Sequence, residues 1–119
     1  IERGGGNIVN ISSELSRTPG PGFVAHASAK SALDAFSKSL ALELGSTGVR
    51  VNVVAPGLIM TDATKHSPAE MVAAITAHTP LGRVGEPEDV AGVVAFLAGD
   101  DSRHMTGAYL HVCGGSSMV

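Results

Sequence analysis

A single cysteine, Cys113, excludes an internal disulfide and leaves no CxxC pair for metal or redox chemistry. No run of Lys or Arg is long enough to follow a phosphate backbone. Eight basic residues stand against eleven acidic ones, for a net charge of −3 and a pI near 5.9, so no nucleic-acid partner is expected. Long apolar stretches are missing too: none approaches the roughly 18 to 20 uncharged residues of a membrane helix. The opening IERGGGN lacks the basic-then-apolar order of a signal peptide. The expected setting is therefore cytoplasmic, with no membrane partner. Repeats and low-complexity tracts are absent as well. What is present is 44% hydrophobic and 16% charged residues over 119 positions, enough for one small globular domain. The chain opens on Ile1 rather than Met and enters a strand pattern almost at once, as expected of a piece of something longer.

Asn7 to Ile11, NIVNI, is a short apolar run between a glycine cluster and Ser12-Ser13, which suits a buried strand. After a GPG loop at Gly20 to Gly22, Ala29, Leu33, Phe36, Leu40 and Leu44 recur at steps of three and four. That stripe predicts an amphipathic helix from about Ala25 to Leu44, stopped near Gly45. Val49 to Ala55, VRVNVVA, is nearly apolar on both faces and closed by Pro56-Gly57, as in a central parallel strand. Ser67-Pro68-Ala69-Glu70 matches a capping box with proline at the first helical position, predicting a short helix to about Ala77. Gly85-Glu86-Pro87 starts another, with Val90, Val94 and Leu97 on one face and Gly99-Asp100 at its end. Ala108 to Val112 reads as a last strand. Strands separated by such helices imply crossovers and a parallel sheet, hence an α/β fold. With so few strands, the apolar NIVNI strand lacks a second neighbour, and an exposed apolar edge invites pairing with another chain.

In HASAK, His26 and Lys30 stand four apart on the predicted helix, so both side chains lie on one face and can serve one site. His66, His78, His104 and His111 do not fall at metal-ligand spacings with a carboxylate or thiol, and no metal site is expected.

These motifs, in this order, resemble the C-terminal half of a short-chain dehydrogenase/reductase. NISS, Asn10 to Ser13, looks like the end of the family's fifth strand, whose second serine is catalytic. Thirteen residues on, where the family places the tyrosine of its YxxxK motif, this chain has His26, and Lys30 matches the lysine. NVVAPG, Asn52 to Gly57, resembles the sixth strand and its turn, continued by Ile59 and Thr61. Arg83 to Gly107 is similar to the next helix, and LHVCGG to the last strand. The family's TGxxxGxG turn and NNAG stretch have no counterpart here. Gly4 to Gly6 precede a strand rather than joining one to a helix, so they form no nucleotide loop.

The resemblance implies the C-terminal half of a Rossmann-like doubly wound parallel sheet, three strands with crossover helices, completed by a missing N-terminal half or a partner. Residues 1–119 would be one partial domain, with a substrate lid at about 62–80. The implied activity is NAD(P)-dependent oxidation or reduction of carbonyl or alcohol substrates. Ser13, His26 and Lys30 take the catalytic positions, and Lys30, Pro56, Gly57, Ile59 and Thr61 the cofactor-binding ones. In the family, tyrosine gives a proton to the carbonyl oxygen, lysine lowers that tyrosine's pKa and holds the ribose, and serine hydrogen-bonds the substrate oxygen. An imidazole is a possible general acid, but it reaches less far than a phenol, so activity is expected to be weak or absent. NAD or NADP is the implied cofactor, with poor binding by this chain alone. A homo-oligomer or a complementing family chain is the implied partner. The alternative from another class is a non-catalytic interaction or scaffold subunit.

Overall fold

The computed structural model describes residues 2–119. Strand β1, Gly6–Ile11, leads through a 3-10 turn at Glu14–Ser16 to helix α1, Val24–Leu44. Strand β2, Val49–Pro56, follows, then α2, Ala69–His78, α3, Pro87–Ala98, a 3-10 turn at Asp100–Ser102, and β3, Tyr109–Val112. The turn into β2 depends on Gly48, at φ 79°, where an added Cβ would also lie 3.1 Å from the Gly4 carbonyl oxygen.

The strands lie in the order β1-β2-β3, all parallel, with Ile8 opposite Val51 and Val54 opposite Leu110. Parallel pairing follows from the helices that separate consecutive strands. Successive residues on a strand point to opposite faces, and every residue from Val51 to Ala55 is buried, so β2 is covered on both sides as its sequence predicts. Asn7 and Asn10, three apart on β1, reach opposite ways: the Asn7 side-chain amide donates to Leu97 O in α3, and that of Asn10 to Ser37 Oγ in α1 at 2.9 Å. α1 therefore covers one face and α3 the other. Ala41, Val49 and Val51, with Ile8, Leu40 and Leu44 packed on them, form the core under α1.

Two polar side chains of β2 fasten the return to β3. Fully buried Asn52 donates to Met105 O at 2.9 Å and accepts from the Ala108 N–H at 3.0 Å. The Arg50 guanidinium donates to Ser102 O (2.9 Å), Met105 O (3.0 Å), Leu97 O (2.9 Å) and Gly99 O (3.3 Å). It thereby meets two carbonyls at the end of α3, those of Leu97 and Gly99, and two in the return that follows.

The structure corrects the predicted face of α1. Its buried residues are Ala27, Asp34, Ser37 and Ala41, whereas Phe36 is 56% exposed. At 3.6 residues per turn, the sheet-facing side is turned by roughly 100° from the Ala29–Leu33–Phe36 stripe. Small residues let the helix approach the sheet closely, and the larger Leu33, Leu40 and Leu44 occupy the flank, half-buried. The capping box at Ser67 also fails to form. Pro68 is the N-cap, without a side-chain bond, because the Ser67 N–H is bonded to Thr64 O in the preceding turn at 2.9 Å. A reciprocal cap stands instead on α3, where the Asp89 carboxylate accepts from the Glu86 N–H at 2.8 Å with Pro87 in the first turn.

β1 pairs with β2 alone, and its other edge carries no strand among the described residues. Among them, no helix is long and apolar enough to cross a membrane.

Candidate functional site

β1 ends two residues short of β2: Ile11 is opposite Val54, and the Ser12 N–H donates to Val54 O at 2.7 Å. The carboxyl ends of parallel strands are where open α/β sheets place ligands. Ser13 is extended there, at φ −155° and ψ 148°, and its Oγ accepts from the Leu15 N–H at 3.2 Å, capping the 3-10 turn. A hydroxyl that accepts can still donate, so the Ser13 hydrogen is not used by this bond.

Lys30 arrives from α1. Its Nζ donates to Ile11 O at 2.8 Å, two residues before Ser13, and an ammonium group has further N–H donors for a ligand. Ser31 Oγ reaches both Ala27 O and Ser16 O at 2.8 Å, stitching the helix to the serine turn. His26, one turn before Lys30, is exposed, and its side chain makes no hydrogen bond among the described residues.

Pro56 ends β2 opposite Val112, and the Gly57 N–H donates to Val112 O at 3.0 Å. A Cβ at Gly57 would lie 3.0 Å from Cys113 Cβ and 3.3 Å from Glu14 Oε1, so a side chain there would crowd both β3's end and the serine turn. Ile59 is half-buried and bridges to Gly85. Thr61 is exposed, and both its N–H (2.7 Å) and its hydroxyl (3.1 Å) meet Thr64 Oγ1. Ser13, Lys30 and Pro56-Gly57 thus lie together at the carboxyl end of the sheet, with Ile59 and Thr61 in the segment leading away.

These groups fit the nicotinamide and ribose end of a dinucleotide: a side-chain-free turn, a lysine with donors to spare and an exposed hydroxyl. Among the described residues the pyrophosphate end has no matching cradle, because Gly4 to Gly6 enter β1 and no glycine-rich turn among them joins a strand to a helix N-terminus.

Sequence reasoning missed Glu14, Tyr109 and Ser116. Glu14 Oε2 accepts from Ser116 Oγ at 2.6 Å. Both residues line a cavity of about 250 Å³ with Ala74, Ile75 and His78 of α2, the helix within the expected lid. Direct adjacency to Ser13 was the available signal for Glu14. A larger cavity, about 560 Å³ between α3, β3 and the 80–85 loop, contains none of the predicted site residues. At its wall Arg83 donates to both Asp89 oxygens, at 2.7 and 2.9 Å. Those bonds, with the Glu86 N–H, hold the Asp89 carboxyl well below the usual carboxylate range and raise Arg83 in turn.

A sequence model of the family described as "Enoyl-(Acyl carrier protein) reductase" matches residues 1–117. The chain belongs to the short-chain dehydrogenase/reductase family. Within that family it is 48% identical over 110 residues to the 3-oxoacyl-[acyl-carrier-protein] reductase of Haemophilus influenzae, covering 92% of this chain and 46% of the relative. It is 44% identical over 115 residues to the (3R)-3-hydroxyacyl-CoA dehydrogenase of Mus musculus, covering 97% and 44%. The solved 3-oxoacyl-[acyl-carrier protein] reductase from Brucella melitensis superposes with a TM-score of 0.93 at 38% identity, over 99% of this chain and 44% of that one. A short-chain type dehydrogenase/reductase from Mycobacterium ulcerans gives 0.91 at 40% identity, over 97% and 42%. The chain spans about half the length of the curated relatives it matches. The Rossmann-like three-stranded sheet is the corresponding part of the family's short-chain dehydrogenase/reductase fold.

Proposed function

We propose that this chain forms the serine, lysine and nicotinamide side of an NAD(P)-dependent oxidoreductase of carbonyl or alcohol substrates, with His26 where the family's motif has tyrosine. The observation that carries this reading is the convergence of Ser13 and Lys30, whose Nζ lies 2.8 Å from the Ile11 carbonyl at the head of the serine turn. A nicotinamide, when bound, would supply or accept the hydride. Ser13 donates its hydroxyl hydrogen to the substrate oxygen, and Lys30 turns its remaining donors to the ribose. Gly57, with no side chain, would leave room for the ring. The lid helix α2 and Glu14 enclose the substrate beyond its carbonyl. The names of the relatives, 3-oxoacyl and 3-hydroxyacyl, support an acyl substrate with its reacting oxygen on the third carbon.

Proton delivery is the weak point. An imidazole at position 26 ends short of where a phenol oxygen would reach, and a misplacement of about 1 Å costs on the order of a hundredfold. Carbonyl reduction is accordingly weak or absent. The test joins this chain to a family N-terminal half carrying the glycine-rich turn and follows NADPH oxidation with a 3-oxoacyl substrate. His26→Tyr should raise the rate about a hundredfold, and Ser13→Ala or Lys30→Ala in that background should remove the gain. Equal rates with and without the tyrosine would sink this account of His26.

A second reading, a non-catalytic interaction subunit, is favoured by the open edge of β1 and by Phe36 and Leu42, 56% and 87% exposed on α1. Under it the chain binds a complementing family chain and His26→Tyr restores nothing; a stable monomer at micromolar concentration removes it.

A further inference from the structure

The turn that bears Ser13 is located from the far side of the sheet. Leaving β1, residues 13–18 cross the end of β2 over Gly57 and are fastened to β3 and the residues after it. Tyr109, the only tyrosine in the chain, donates its hydroxyl hydrogen to Ser13 O at 3.1 Å, and its oxygen lies 2.9 Å from Ser16 Oγ. A phenol has one hydrogen, so Ser16 is the donor in the second bond. The Arg17 guanidinium lies over the same ring, 3.5 Å from its centroid, and His111 meets the ring edge-on at 4.8 Å. Ser116 to Glu14, and Thr18 with Ser117 at 2.8 Å, complete the attachment. β1 and β3 are not neighbours in the sheet, so this bridge joins strands that the ladder does not.

We propose that Tyr109 is the positioning residue for Ser13: by holding the Ser13 carbonyl it fixes the direction in which the serine hydroxyl meets the substrate oxygen, and it moves no proton itself. The proposal rests on the assignment of Ser13 above. A 3-10 turn of three residues has few bonds of its own, so the orientation of its capping serine depends on outside attachment. Burial raises the Tyr109 pKa above its ordinary value; the Ser16 bond opposes, Asp34 of α1 adds, Arg17 opposes and Cys113 adds. The net direction keeps the phenol neutral, and hence a donor, throughout the physiological range.

Tyr109→Phe removes only the oxygen and leaves the ring beneath Arg17. In isotope-labelled protein, the carbonyl carbon shift of Ser13 should change with the ionisation of Tyr109, at a pH above the ordinary phenol value of about 10, and that step should vanish in Tyr109→Phe. Amide exchange at Leu15 should speed up about tenfold in the variant, the effect of losing one neutral hydrogen bond, while Val53 and Val54 in β2 exchange as before. Ser16→Ala keeps the Tyr109 bond to Ser13 and should keep the pH step, which carries the test if Tyr109→Phe does not fold. A Ser13 carbonyl indifferent to the titration overturns the proposal, as does unchanged exchange at Leu15 in folded Tyr109→Phe. Neither readout needs cofactor or turnover, so its failure is distinct from failure of the oxidoreductase reading.

Discussion

Replacing Arg50 by methionine tests whether the sheet and α3 are held together by one guanidinium. The side chain makes four bonds to carbonyl oxygens, three of them at 2.9 to 3.0 Å in half-buried surroundings and the fourth, to Gly99, exposed at 3.3 Å. A hydrogen bond to a charged group contributes about 1.5 to 3 kcal/mol net, so the three inner bonds total roughly 4 to 9 kcal/mol. Release of the arginine's side-chain entropy, about 2 kcal/mol, and partial rehydration of the carbonyls reduce that. Methionine keeps the apolar stem packed. The expected loss is about 3 kcal/mol, a large share of the roughly 5 to 15 kcal/mol that small domains have. With a urea slope of about 1 to 3 kcal/mol/M, the midpoint should fall by roughly 1 to 3 M in far-ultraviolet circular dichroism. Arg50→Lys keeps the charge but not the planar fork and should lose about half as much. A midpoint shift under about 0.5 M for Arg50→Met at unchanged slope would refute the reasoning.

Gly57→Ala places a methyl 3.0 Å from Cys113 Cβ and 3.1 Å from its Cα, where the obstacle is backbone rather than a movable side-chain tip. Thermal unfolding should show a loss of about 1 to 3 kcal/mol; a neutral outcome would mean that the turn yields freely. For Asp89, whose folded pKa is lowered by Arg83, the pair's stabilisation is complete above the unfolded carboxyl value of about 3.9 and is lost as pH falls toward the folded one. Carboxyl-detected NMR should therefore place its midpoint below the usual range, and Arg83→Gln should bring it back up; identical midpoints would contradict the assignment.

Much of the fold could be read from sequence because strand and helix boundaries here are written locally. Gly45, Pro56-Gly57, Pro87 and Gly99 punctuate elements whose apolar content already suits them, and the observed ends lie within a residue or two of those expected. The face of α1 was misread because the sheet takes small and polar residues, Ala27, Asp34, Ser37 and Ala41, which a hydrophobic stripe ignores. Ser67 matched a cap by spacing, yet its backbone belongs to the turn before. Ser13 and Lys30 were legible through motif spacing and do converge, whereas nothing local marks Tyr109: its partner is 96 residues away. Contacts of that range are products of topology, and topology is not periodic in the sequence.

That separation has a kinetic consequence. The segment from β1 through β2 already contains Ser13 and Lys30, but the Ser13 carbonyl finds its Tyr109 donor only when β3 docks. Closing so long a loop adds little to the equilibrium cost, since the penalty grows only logarithmically with length, yet contacts of high sequence separation form late and slow the approach to the native state. During synthesis the serine is made 96 residues before the tyrosine that gives it its direction, so an emerging chain carries the chemical groups well before it carries a site.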